Sequence, residues 1–325
     1  VFMKAKDVII VLFLFLGVIA AVWYGVYQLT GNDTDSTKTN PKKVEDFLDE
    51  VRDGNYTQVE SLLKKGASPN EKDQDNQTPM RVAVESGNTD MVDLLASYKA
   101  NINQTDEDGF SLLAMAIEQE DVSMVECLLR LGVNVNQTDK EGRTALWTAA
   151  EVGNVEIIEL LEQKGINLQA KDFKGQTVIF QKIGANVNET VKQLVSKGLK
   201  LNAQNNSKEI AAFSMLEYKD QFKAFLQNGL NPNTVDQDRE SLLIKAIDYG
   251  YFSMVETLLE AGANPNVNSK YKDPALHLAI RNGNLVTIKQ LISHGANVNS
   301  VNEYGDTALM EAVNEQKKSV VSELL

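Results

Sequence analysis

The chain has 325 residues, 43% of them apolar, with 20 Gly, 6 Pro and one Cys, a composition that suits an ordered helical protein and argues against disorder. The formal charge is −13; Lys4, Lys6 and Asp7 give the first thirty residues +1 and leave −14 on the rest, a surface that repels phosphate backbones and makes nucleic acid an unsuitable partner. A lone Cys127 excludes an internal disulfide, a thiolate zinc cluster and a lipid-modified N-terminal cysteine, and its neighbours Val125, Leu128 and Leu129 mark it as a small core residue.

After a short segment at 1–7 comes a run of 22 uncharged residues from Val8 to Leu29, VIIVLFLFLGVIAAVWYGVYQL. At about 1.5 Å per residue a helix of that length crosses a ~30 Å hydrocarbon core. Trp23, Tyr24 and Tyr27 stand at its C-terminal end, where amphipathic rings favour the interface. Residues 8–29 are therefore expected to be a transmembrane helix or uncleaved signal anchor that holds the protein to a membrane. A cleaved signal peptide competes, with Val18-Ile19-Ala20 ahead of a cut before Ala21, but the apolar run continues nine residues beyond that point. Lys4 and Lys6 precede the run and the acidic or neutral GNDTDST follows it, so a single-pass protein with its bulk periplasmic or extracytoplasmic is expected, although Lys38, Lys42 and Lys43 weaken the asymmetry. Residues 30–43 are polar and aperiodic, as in a linker.

From residue 44 to the end, at 325, the chain repeats. A glycine closes a Leu-rich segment at Gly66, Gly132, Gly165, Gly198, Gly229, Gly262 and Gly295, with Lys99 in the one vacant place; every step is 33 residues except 31 between Gly198 and Gly229. A second motif lies 21 residues ahead: Thr78-Pro79-Met80, Ser111-Leu112-Leu113, Thr144-Ala145-Leu146, Thr177-Val178-Ile179, Ser241-Leu242-Leu243, Pro274-Ala275-Leu276-His277 and Thr307-Ala308-Leu309. With the Gly-Ala-Asn-x-Asn endings at 262–266 and 295–299, these residues resemble the ankyrin repeat, whose period is 33 and whose signature is T-P-L-H-x-A. The resemblance implies an all-α solenoid of about nine helix-turn-helix repeats joined by hairpin loops, preceded by the one N-terminal transmembrane helix.

The residues support that architecture independently. Ser or Thr at the motif start is a natural N-cap. Ala83, Ala116, Ala149, Ala246, Ala279 and Ala312 recur where a neighbouring helix must come close, and pairs such as Leu128-Leu129 and Leu258-Leu259 supply the buried stripe of a second helix. In the first unit Glu45 stands in the capping place and Glu50 in the Ala place, as expected where no earlier repeat covers the surface. Between 172 and 235 the pattern drifts. Lys182 and Phe213 fall at the Ala position, and the hairpin between Gly198 and Lys208 counts two residues short, so a disturbed stack is expected there. Leu324-Leu325 come three residues before the next expected glycine.

Little converges toward catalysis. His277 occupies the histidine place of T-P-L-H, which in the family braces loop backbones, and His294 sits just before Gly295, where the negative end of a helix favours it. No phosphate loop, H-E-x-x-H or G-x-S-x-G is present. The acidic loops Thr105–Asp108 and Val235–Asp238 lack the arrangement of a calcium loop and are expected to be solvated surface. No enzyme activity, cofactor, metal or small-molecule substrate is expected.

What remains is binding of another protein. The resemblance places partners on hairpin tips and the concave face of the first helices. At the tips this selects Phe110, Arg143, Phe173, Tyr271 and Tyr304, and on the helices Glu118, Glu151, Asp248, Tyr249 and Arg281, a mixture of aromatics, acids and arginines suited to an interface. Trp147 and Phe180, at the histidine place, fit either the core or this surface. Anchored bacterial proteins of this look resemble inhibitors or immunity proteins; a cytoplasm-facing structural adaptor or host-directed factor is the alternative.

Overall fold

The computed structural model describes residues 41–325; the expected membrane helix at 8–29 lies outside them. Among the described residues no helix is long and apolar enough to cross a membrane. Residues Phe47–Leu325 form one compact unit. Its helices follow one another in antiparallel pairs. They are α1 (Pro41–Arg52) and α2 (Tyr56–Lys64), α3 (Pro79–Glu85) and α4 (Thr89–Ser97), α5 (Leu112–Glu118) and α6 (Val122–Arg130), and α7 (Ala145–Val152) and α8 (Val155–Gln163). A 3₁₀ turn (Val178–Phe180) then precedes α9 (Val187–Ser196), followed by α10 (Ala211–Ser214) with α11 (Lys219–Gln227), α12 (Leu242–Asp248) with α13 (Phe252–Glu260), α14 (Ala275–Asn282) with α15 (Leu285–Ser293), and α16 (Ala308–Asn314) with α17 (Lys318–Leu324). The helix α1 takes in Pro41 to Lys43, so the last residues assigned to the linker belong to it, and Glu45 lies inside the helix rather than at its start.

Regular helices here run only seven to nine residues over most of the array, below the ~12–15 at which an isolated helix is even marginal in water. Caps and stacking hold them. Thr78, Ser111, Ser241 and Thr307 each accept the amide three residues on, and Asn88, Asp121, Asn154 and Asn284 do the same for second helices. Ala83, Ala116, Ala149, Ala246, Ala279 and Ala312 are all 0% exposed, the close approach their size anticipates. Second helices pack in an unbroken row from α2 to α17. Asparagines stitch the turns behind them: Asn70, Asn103, Asn136, Asn233 and Asn266 each accept, through Oδ1, the backbone amide 31 residues on, at 2.6–2.8 Å.

The first-helix row is interrupted where the sequence drifts, though by a different route from the one counted there. An isolated bridge joins Gln204 to Ile210, matching those of regular units such as Thr138–Thr144 and Val235–Ser241. The hairpin is therefore of full length, the unit starts at Ile210 rather than Lys208, and the missing pair of residues comes out of the first helix, leaving α10 with four residues. Met215, not Phe213, then occupies the Ala place and is buried. In the preceding unit only a three-residue turn forms. Gln181 to Asn186 instead runs across the end of α7: Gly184 and Ala185 amides donate to Ala150 and Val152 carbonyls at 3.1 and 3.0 Å, and Gln181 Nε2 to Trp147 O at 2.6 Å. The two backbone bonds satisfy Ala150 and Val152 carbonyls that the helix end leaves open. Lys182 thereby points outward, its ammonium 6.0 Å from the Tyr218 ring.

Candidate protein-binding surface

Each hairpin finger braces itself. Asp106 Oδ1 accepts the amides of Asp108 and Phe110 at 2.9 and 2.8 Å, and Asp73, Asp139, Asp172, Asn205, Asp236 and Asn302 repeat the device. This is an Asx turn, in which a short carboxylate or amide closes the loop on its own backbone. Asp106 and Asp236 are thus half-buried and turned inward, not solvated as expected, while Glu107, Asp108 and Asp238 face water. Neighbouring fingers join through Lys140 N to Asp108 O, Phe173 N to Glu141 O and Asn206 N to Lys174 O, at 2.9–3.0 Å.

Between the fingers that end at Phe110 and Arg143, and the helices α5 and α7, lies a groove. Its lining brings together four of the residues selected from the sequence, Phe110, Glu118, Arg143 and Glu151, over a floor that includes Trp147. Three carboxylates, Glu118, Asp139 and Glu151, line it against one guanidinium. Arg143 is committed to Asp139 at 2.8 Å and Glu141 at 3.3 Å. Glu118 and Glu151 are exposed and form no ion pair among the described residues. Two buried atoms in the lining, Thr144 Oγ1 and Gln137 Oε1, make no hydrogen bond to protein. The groove encloses about 80 Å³ of water-accessible space, well short of the ~300–1,000 Å³ typical of small-molecule sites, but enough for one side-chain head.

The family model for ankyrin repeats, written for three copies, matches residues 49–139, 113–205, 180–269 and 243–325, nearly the whole of the described chain. The chain belongs to the ankyrin repeat family. No curated protein matches it. Ankyrin repeats typically mediate protein–protein interaction.

Within this ankyrin array the other selected residues scatter along the row. Asp248 and Tyr249 end α12 side by side; Tyr249 is 60% exposed, meets Tyr251 edge-on at 6.1 Å between centroids, and lies 5.7 Å from the Lys245 ammonium. Tyr271 and Tyr304 are 65% and 78% exposed at finger tips, and Phe173, at 73%, lies against Gly142 of the preceding finger. Arg281 is half-buried and engaged by Asp273 at 2.6 Å and Glu311 at 3.3 Å, so its charge is held within the stack. Trp147 and Phe180 are buried and fill the core.

His277 is fully buried; its Nε2 donates to Ser300 O at 3.0 Å, the loop-bracing bond of its motif, while Nδ1 faces Glu311 at 2.5 Å. His294 caps α15 by donating from Nδ1 to Gln290 O at 2.8 Å. Beneath the finger at 236–240, Lys245 meets Glu240 at 2.7 Å and Asp236 at 3.4 Å. Burial works against the Lys245 ammonium, but the Glu240 hydrogen bond and the fields of Glu240, Tyr249 and Asp236 outweigh it and raise its pKa. Burial likewise works to raise Glu240, yet the bonds from Lys245 and the Lys270 amide leave its pKa lowered. Thr144, a natural N-cap by sequence, caps no amide, and sequence reasoning missed Glu85, which shares the register of Glu118 and Glu151 and is tied to Arg81 at 3.0 Å.

Proposed function

We propose that this protein binds another protein through the face formed by its fingers and first helices, and that residues 8–29 tether it to a membrane with the repeats outside the cytoplasm. The observation that carries the binding reading is the groove at Phe110, Glu118, Arg143 and Glu151, where exposed carboxylates without internal partners stand beside aromatic surface. Interfaces concentrate their energy in such aromatic and charged clusters, and an acidic face steers a basic or mixed partner surface toward it. The tether is supported by 22 uncharged residues, and its orientation by Lys4 and Lys6 ahead of them.

The test is capture from native membranes with the full chain, comparing the parent with a variant in which Glu118, Glu151 and Asp248 are all changed to Lys. Loss of the co-purifying partner is expected, and retention of every partner places binding elsewhere. A reporter fused after Leu325 that is active only in the cytoplasm overturns the orientation.

A further inference from the structure

The irregular middle of the array is tied on one side only. Gln221 of α11 bonds back to Gln181 and Ile183, and Asn228 Nδ2 donates to Asn188 Oδ1 at 3.3 Å. Toward the units that follow, the pair α10 and α11 has no such tie: among the described residues, no hydrogen bond or ion pair joins 47–228 to 231–325. Every other pair of successive finger loops is joined. Asn70, Asn103, Asn136, Asn233 and Asn266 each hold the next loop through its backbone, and Gln169 Nε2 reaches Gly198 O at 3.1 Å. Asn202 and Asn231 occupy the corresponding two places on the loops at 198–209 and 229–240, yet they do not bond.

The asparagines for a stitch are present, so what is missing is their position. Between Glu217 and Tyr218 the chain lacks the two residues that separate Glu118 from Asp121 at the same place in an earlier unit. The helix α10 keeps four residues, about one turn, where α5 and α12 each have seven. Apolar packing continues through the junction, with Phe222 and Phe225 buried in α11 and Leu243 and Ile247 in α12. Such packing is non-directional, and packed helices can slide or tilt against one another where no hydrogen bond fixes the angle between them.

We propose that the array is hinged at 228–231, and that 47–228 and 231–325 swing against each other as two rigid bodies on the μs–ms timescale of hinge and shear motion. The hinge divides the surface residues selected from the sequence. Glu118 and Glu151 ride on the first body, and Asp248, Tyr249 and Tyr271 on the second. The spacing between the two halves of the face is therefore adjustable, and a protein that touches both halves holds the hinge at one angle.

Spin labels on the full chain test the hinge without any partner. Glu126, Glu159, Lys223 and Glu256 hold the same exposed position on α6, α8, α11 and α13. The pairs Glu126→Cys/Lys223→Cys and Glu159→Cys/Glu256→Cys, each in a Cys127→Ala background, both span three units and both include the unit of the 3₁₀ turn, but only the second crosses the hinge. Its electron–electron distance distribution should be about twice as wide as that of the first, as expected of two bodies sampling a range of angles. Insertion of Ala-Ala between Glu217 and Tyr218, which restores the regular length, should narrow the second distribution to the width of the first. Equal widths without the insertion overturn the hinge, whether or not the insertion variant folds. An insertion variant with undiminished helical content and a second distribution still broad overturns it as well. Because the labelled chain is measured alone, either failure leaves the binding reading standing.

Discussion

Gln221 clasps the irregular segment from forty residues away: its Nε2 donates to Gln181 O at 2.8 Å and its Oε1 accepts from the Ile183 amide at 2.9 Å. The side chain is 2% exposed, and it replaces with one amide the bonds that a missing helix turn would have supplied. Gln221→Ala strands a buried donor and a buried acceptor and should lower stability by about 3 kcal/mol, measured by urea unfolding. An effect below about 0.5 kcal/mol, the ordinary scale of a neutral surface change, would show that the clasp is dispensable.

Close backbone packing gives a second expectation. A Cβ at Gly153 would lie 1.8 Å from Ala185 O, and one at Gly184 would lie 1.8 Å from Glu151 O, whereas Gly66 has open space around it. Gly66→Ala carries only the left-handed backbone penalty, about 1–2 kcal/mol. Gly153→Ala and Gly184→Ala must lift the crossing segment off α7 and should lose at least twice as much. Amide exchange at Gly184 and Ala185 should accelerate in both, and unchanged protection there contradicts the packing described.

The Lys245–Glu240 pair predicts a pH profile. Since Glu240 is lowered in the folded chain, it contributes stability above its unfolded value near ~4.3 that disappears as pH falls through the folded value. Lys245 is raised, so its contribution is full below the unfolded value near ~10.4 and is lost as pH rises through the folded one. Thermal melts from acid to neutral pH should show a steeper acid limb in the parent than in Glu240→Gln. Lys245→Met, which leaves the buried Glu240 carboxylate with only the Lys270 amide, should destabilise by about 3 kcal/mol at neutral pH.

Cys127 should be inert in the folded chain. It is 4% exposed, and burial together with Asp93 raises its thiol pKa despite Arg130 nearby, so little thiolate forms at neutral pH. Alkylation monitored by mass spectrometry should proceed at the rate of local opening, and labelling as fast as in the urea-unfolded chain would contradict this environment.

Much of the fold was legible in the sequence because stacking demands the same residue at the same place in each unit: the Ala row is buried without exception, and Thr78, Ser111, Ser241 and Thr307 cap where they were expected to, whereas Thr144 and Thr177 do not. Counting 21 residues back from Gly229 crosses the shortened first helix and lands on Lys208 instead of the true motif start. Counting forward, every closing glycine stands 12 residues ahead of a motif start, which leads from Gly198 to Ile210. Four selected residues converge on one groove. Arg281 was chosen by position, but its engagement depends on Asp273 and on Glu311 from the next unit, contacts that periodicity does not encode. The orphan atoms of Gln137 and Thr144 were invisible for the same reason: pairing is settled only once side chains are placed.

The self-braced fingers separate two demands that most loops must meet together. Asp106 and its counterparts fix each loop through backbone amides, and the outermost side chains, Lys140, Glu141, Phe173, Tyr271 and Tyr304 among them, take no part in that closure. Substitution at these letters leaves the loop's shape intact while altering what it presents to a neighbour. Where the proposed binding face is used, its specificity can therefore be altered one finger at a time without disturbing the closure of the loop.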